Sequence, residues 1–188
     1  MFARKDAFRS ELLKMRENLD PTVAEQLSQA IFSNIKNLEA FRGATVIHTY
    51  VSSKKNEVDT RQLVTDALKS GKRIVVPIVN LDHQSLDHSE ILTLDELKPG
   101  TFGMLEPTMR RSIDLSLVEI VLVPVVGVDR RGNRIGLGKG YYDRFLRLIR
   151  KPKLALAYTF QVVDAIPPDQ DGERVDFVVT EGEVIRCT

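Results

Sequence analysis

The sequence predicts an α/β protein built on a mostly parallel sheet with helices on both sides. Three observations carry that prediction. A β-branched stretch, Ala44 to Val51, is followed by a helix pattern and then by a second strand, Arg73 to Val79. That order suits a parallel crossover. "VEIVLVPVVGV", Val118 to Val128, is apolar on both faces, as a central strand covered by helices should be. Helix-period segments also flank the strands along most of the chain.

The elements follow in order. Phe8, Leu12, Met15 and Leu19 recur at helical spacing, so a helix is expected from about Ala3 to Asn18. Asp20 and Pro21 are a good N-cap and first helical residue for a second helix marked by Val23, Leu27, Ile31, Ile35 and Leu38. After the first strand, Asp59 or Thr60 can cap a helix carrying Leu63, Val64, Ala67 and Leu68, with Gly71 at its end. Pro77 in the next strand requires an unpaired position or the strand's end. "HQSLDHSEI" allows a short strand before a loop with Pro99 and Gly100, and Phe102 to Pro107 shows no regular period. The central strand leads straight into a glycine stretch. A helix from about Tyr141 to Arg150, strands at Leu154 to Tyr158 and Val175 to Val179, and a short last strand "EVIR" complete the chain. No repeat or linker divides it, so one domain over residues 1–188 is expected.

Composition bounds the function. With 27 basic and 26 acidic residues the net charge is +1, which gives no bulk field for nucleic acid or an anionic membrane. One cysteine, Cys187, excludes an internal disulfide framework and a cysteine zinc site. There is no membrane-length apolar run, and the start of the chain lacks a secretory pattern, so a cytoplasmic location is expected.

"RGNRIGLGKGYYDRF", Arg131 to Phe145, carries the most chemistry. Gly136, Gly138 and Gly140 can take positive φ and turn their N–H groups toward an anion, beside a helix start. Lys139 adds a mobile charge and Arg134 a bidentate clamp. The spacing is neither that of a Walker A loop nor G-x-G-x-x-G, and a plain strand-to-helix turn fits it too. Asp143 suits either the helix dipole or a divalent ion. Arg144, Arg147, Arg150 and Lys151 read as a solvated face. Lys5 and Arg9, four residues apart, are consistent with an anion between them or with ordinary wet surface. Glu57 lies in the polar loop "SSKKNEVDT" after the first strand, where it fits helix solvation or a heterocycle's N–H groups. Asp176, set among apolar residues, needs an arginine partner or a metal. His48, His83 and His88 show no metal-ligand spacing.

At "NRIGLGKGYYDRF" the chain resembles the 5-formyltetrahydrofolate cyclo-ligase family, and "KDAFR", "YVSSKKNEVDT", "GKRIVVP", "FGMLEP", "LALAYTFQ" and "VDFVVT" follow the resemblance in order. The resemblance implies a three-layer α/β/α sandwich. It implies closure of 5-formyltetrahydrofolate to 5,10-methenyltetrahydrofolate by Mg-ATP, with attack of the formyl oxygen on the γ-phosphate and then of N10 on the formyl carbon. Lys139, Arg134 and Tyr142 would act in catalysis. Lys5, Arg9, Arg134 and the run Gly136, Leu137, Gly138, Lys139, Gly140, Tyr141 and Tyr142 would bind ATP. Arg9, Ser52, Glu57 and Tyr142 would bind the folate, and Asp143 and Asp176 would hold Mg²⁺. Leu137 stands where relatives commonly carry a basic residue. The implied partners are these two small molecules, with no nucleic acid or membrane, and the implied state is a monomer. A sugar-phosphate isomerase and a non-catalytic phosphate binder are the competing classes. The twin tyrosines and near-neutral charge fit them less well.

Overall fold

A computed structural model describes residues 2–167 and 172–188, with side chains from residue 5 onward. The chain runs α1 (Phe2–Glu17), α2 (Pro21–Asn37), α3 (Glu39–Gly43), β1 (Val46–His48), α4 (Arg61–Lys69), β2 (Arg73–Asn80), β3 (Ser85–Ile91), β4 (Leu97–Pro99), β5 (Leu105–Pro107), β6 (Ile120–Pro124), β7 (Gly127–Asp129), β8 (Arg134–Ile135), α5 (Tyr141–Leu148), β9 (Lys153–Leu156), β10 (Val162–Val163), β11 (Phe177–Val179) and β12 (Val184–Arg186). Seven strands form the main sheet in the order β12-β11-β9-β6-β1-β2-β3. The inner pairings are parallel, and the edge strands β12 and β3 are antiparallel.

Side-chain alternation divides this sheet into two faces. Ile47, Ile74, Ile120, Leu122, Leu154 and Leu156 pack with Ile31, Phe32 and Ile35 of α2 and Leu63 and Val64 of α4. Val46, Val75, Val121, Val123 and Ala155 pack with Phe145, Leu146 and Ile149 of the α5 segment. Burial of both faces explains why these strands read as continuous apolar runs. The result is the expected three-layer sandwich. Asp20 caps α2 through Thr22 N–H at 2.8 Å, and Pro21 follows it. At α4, Asp59 Oδ1 accepts the Arg61 N–H at 2.9 Å, while the Thr60 hydroxyl instead donates to Tyr50 O at 2.8 Å.

Three expectations are corrected, and the one for Pro77 is met. The apolar run Val118 to Val128 is two strands in two sheets. Gln161 enforces the break, donating to Val125 O and Val126 O at 3.3 and 2.9 Å. β7 then pairs with β8 and β10 in a small second sheet. Hydropathy could not show this break, because both strands are buried. The glycine stretch therefore follows the β7–β8 hairpin, not the central strand directly. Pro77 sits inside β2, opposite His88. The β1 ladder ends with Thr49 N–H on Val75 O, so two residues on, the missing Pro77 donor faces a side that β1 has left. In α1 the covered positions are Lys5, Leu12 and Arg16, and Met15 is exposed. No helix among the described residues is long and apolar enough to cross a membrane.

Candidate active site

The parallel strands present their carboxyl ends on one side, where α/β sheets hold ligands. The segment after β1 carries Ser52 and Glu57. Beyond β6, the β7–β8 hairpin delivers Arg134 and the glycine loop. Asp129, 1% exposed, pins that hairpin. Its carboxylate accepts N–H bonds from Arg131, Asn133 and Ile166 at 2.9–3.0 Å.

α1 crosses to the glycine loop. Arg9 Nε donates to Gly136 O at 2.8 Å across 127 residues of sequence, and Asp6 pairs with its guanidinium. Gly138 has φ +89°, and its Cα faces the Arg9 guanidinium so closely that a Cβ would lie 3.3 Å from Arg9 Cζ. Gly140, at φ +70°, precedes α5 as its N-cap and offers no side chain to the first-turn N–H groups. Gly136 keeps an ordinary φ and needs no glycine-only conformation. Lys139 and Leu137 are exposed on this loop, and Lys5 is buried. The wet-surface reading of Lys5 and Arg9 is thus overturned by burial and by the long-range bond. Arg144 is exposed, as a solvated face requires, and it has a second role. Its side chain braces the loop by donating to Lys139 O at 3.1 Å and Gln84 O at 2.6 Å.

Beside the loop lies a buried polar pocket. Glu57 Oε2 accepts the N–H groups of Ser53 and Lys54 at 3.1 and 3.4 Å. Burial pushes the Glu57 carboxyl above its ordinary range. Those N–H groups and the charges of Arg16 and Lys54 pull it back part of the way. The Tyr142 hydroxyl is buried with no hydrogen-bond partner. Burial holds its phenol un-ionised, the Glu57 charge adds to this, and the Arg134 charge opposes it. Arg16 is 4% exposed and its Nε is also unpartnered. An unsatisfied buried hydroxyl and a buried guanidinium, each within electrostatic reach of one acid, are costly in an empty protein, and a polar ligand would offset that cost. Ser52, expected at the folate, is buried and spends its hydroxyl on Asp59 Oδ1 at 2.6 Å, so it shapes the loop.

Tyr141 and Tyr142 divide as adjacent helix residues must. Tyr142 packs toward Phe145, with centroids 6.1 Å apart, and Tyr141 faces Phe102 at 6.3 Å. Phe102 also receives Lys139 Nζ, 4.4 Å from its ring centroid.

The two candidate metal ligands have different partners. Asp143 Oδ1 takes Arg134 Nη2 at 2.7 Å, and the Arg134 side chain is 4% exposed. Asp176 Oδ2 accepts the Lys153 N–H at 2.8 Å, which is neither of its anticipated partners. No group of three or more His, Cys, Asp or Glu among the described residues could hold a metal ion. Asp143 does suit Mg²⁺, which takes one or two carboxylates and completes its shell with phosphate and water oxygens.

Sequence reasoning missed Arg16 and the His48–His88 pair. Arg16 continues the Lys5, Leu12 face at helical spacing, so its burial was readable once that face was known. The two histidines, 3.1 Å apart, meet only through strand topology.

Fold and site together define a class: an α/β/α enzyme with a glycine–lysine loop and a buried acidic pocket side by side at its strand ends. The model of the 5-formyltetrahydrofolate cyclo-ligase family matches residues 1–181, and the chain belongs to that family. It is 28% identical over 172 residues to the 5-formyltetrahydrofolate cyclo-ligase of Haemophilus influenzae, covering 88% of this chain and 91% of that one. Identity to the enzyme of the same name from Mycoplasma pneumoniae is 30% over 182 residues, covering 94% and 98%. The solution structure of Aquifex aeolicus 5,10-methenyltetrahydrofolate synthetase superposes with a TM-score of 0.85 at 33% identity, over 97% of this chain and 92% of that one.

Proposed function

We propose that the protein closes 5-formyltetrahydrofolate to 5,10-methenyltetrahydrofolate, consuming ATP and releasing ADP and phosphate. The observation that carries this reading is the juxtaposition of a cation-rimmed glycine loop with the orphaned Tyr142 hydroxyl and half-buried Glu57. One half suits a triphosphate, the other a flat heterocycle with amino and ring N–H groups.

The reaction follows from the chemistry of the two ligands. The formyl oxygen attacks the γ-phosphorus, the bond to the β-phosphate oxygen breaks, and ADP leaves. Phosphorylation turns a poor leaving group into a good one. N10 then attacks the formyl carbon, loses its proton, and the carbon–oxygen bond to phosphate breaks. The protein contributes positioning and charge stabilisation, with no need of a side-chain nucleophile.

Each residue has a task in this reading. Arg9 orders the loop carbonyl and reaches the phosphates, with Lys5 behind it. Lys139 meets the transferring phosphoryl group. Arg134, held by Asp143, supplies a rigid second cation. Leu137 contributes its backbone alone. Glu57 accepts the pterin N–H groups, and Tyr142 donates to the reacting formyl group. A divalent ion would neutralise phosphate charge, held by Asp143, with Asp176 as the second carboxylate through its remaining oxygen. The protein is read as a monomer in the cytoplasm acting on small molecules.

The test is incubation with Mg-ATP and 5-formyltetrahydrofolate while following methenyl absorbance and ADP. Stoichiometric formation of both supports the reading. Absence of both products would refute it.

A further inference from the structure

The segment Thr101–Gly103 has no task in the mechanism above, yet it is built with care. Phe102 adopts φ +55°, a left-handed conformation that is costly for a bulky residue and persists where surrounding contacts over-determine it. Those contacts are present. The Lys54 ammonium donates to the Phe102 carbonyl. Gly103 N–H bonds Gly100 O at 3.0 Å, and Gly100 N–H bonds Met104 O at 2.7 Å. The β4–β5 ribbon carries the segment, and Glu106 ties that ribbon to β2 by accepting the Val79 N–H at 3.2 Å.

This scaffold holds one large ring, 45% exposed, out over the glycine loop. Lys139 Nζ lies 4.4 Å from the ring centroid. A lysine between two glycines on an exposed loop has many rotamers and two soft backbone neighbours, so its ammonium would otherwise sample a wide volume. A ring face attracts that cation and narrows the volume. Lys54, which tethers the ring, belongs to the same loop as Glu57 and gives its N–H to the Glu57 carboxylate. The strap therefore joins the folate side of the site to the phosphate side.

The geometry points to Phe102 as a positioning residue: its ring holds the Lys139 ammonium at the seam between the glycine loop and the Glu57 pocket, oriented before phosphoryl transfer. This rests on the reading of Lys139 as the phosphate cation.

A double-mutant cycle on Phe102 and Lys139 tests it. The readouts are calorimetric binding of a non-hydrolysable ATP analogue with Mg²⁺ and steady-state kinetics in both substrates. Phe102→Leu is expected to weaken analogue binding and lower kcat, each by about three- to tenfold, the range of one cation–ring contact. KM for 5-formyltetrahydrofolate should hold. Phe102→Tyr, which keeps a ring, should restore both. In a Lys139→Met background, Phe102→Leu should change analogue binding no further. Because binding is read without turnover, an inactive double variant remains informative. An effect of Phe102→Leu that persists in the Lys139→Met background, or that falls on the folate KM alone, would make the ring a stacking face for substrate and overturn the inference. No effect of Phe102→Leu overturns it too. If Lys139→Met itself leaves analogue binding and kcat at wild-type values, the assignment of Lys139 fails and the inference falls with it. A Lys139 effect without coupling to Phe102 defeats only the inference.

Discussion

Glu57 and Tyr142 share one pocket and respond to substitution in different ways. The Tyr142 hydroxyl has no partner in the protein alone, so Tyr142→Phe removes a buried unsatisfied group and should leave the melting temperature unchanged or raised. The same change should lower kcat by about tenfold if the hydroxyl meets the reacting formyl group. A fall in stability with unchanged kcat would contradict that role. If Glu57 accepts the pterin N–H groups as proposed, Glu57→Gln loses charged hydrogen bonds worth about 1.5–3 kcal/mol, so folate KM should rise by about ten- to a hundredfold with kcat less affected. Arg16 acts on Glu57 by charge. Removing that cation disfavours the carboxylate, so Arg16→Met should move the acidic limb of kcat/KM for folate to higher pH. A pH–rate series on the variant measures the shift. Of these three residues, the sequence marked Glu57 and Tyr142 through motif resemblance, but not Arg16. One arginine among several on a helix carries no sign of burial until its neighbours are placed.

Among the elements, α5 and the strands beneath it hold the clearest pH dependence. His48 and His88, from β1 and β3, stack on Phe145 of α5 with centroids 4.4 Å away in each case. Burial lowers both imidazoles, the neighbouring His88 lowers His48 further, and His88 falls to about 4 although Asp87 opposes the shift. Both are thus neutral in the fold and take up protons more readily when unfolded. The stability they permit is full above the unfolded value near 6.5 and is lost as pH falls toward about 4. Melting temperature should decline across that window, and His88→Asn should flatten the decline. An equally steep profile in the variant would place the acid sensitivity elsewhere. Helices α1, α2, α4 and α5 and most of the strands were legible from period and caps, while the short α3 was not. The split of the run Val118 to Val128 was not, because Gln161 imposes it from a distant 3₁₀ turn.

For the molecule as a whole, the reach of α1 is decisive. Its first half presents Arg9 to the glycine loop, and its far end is held by Asn56, whose side chain donates to Arg16 O and Leu19 O at 2.9 and 2.8 Å. Asn56 has φ +50° and precedes Glu57. Asn56→Gly keeps the conformation and removes the tie, so KM should rise for both substrates together, by about three- to tenfold, the scale of one or two hydrogen bonds. A change confined to one substrate would show that α1 does not couple the two halves. Saturating Mg-ATP should also stabilise the fold by about 2.7 kcal/mol at a hundred times Kd, visible as a raised melting temperature. No shift at any concentration would count against ATP as the anion.

Local sequence determined helices α1, α2, α4 and α5, the parallel crossover around β1, α4 and β2, the presence of the glycine loop and, through ordered motifs, the family. These depend on period, capping and φ preference, which act over a few residues. Tertiary structure alone decided which charges are buried and which atoms meet: Arg9 on Gly136, Arg134 on Asp143, Lys139 on Phe102, His48 on His88. Those contacts join residues from separate elements. They are set by strand order, by the hairpin that carries the loop away from the central strand, and by the path of α1 across the sheet's end.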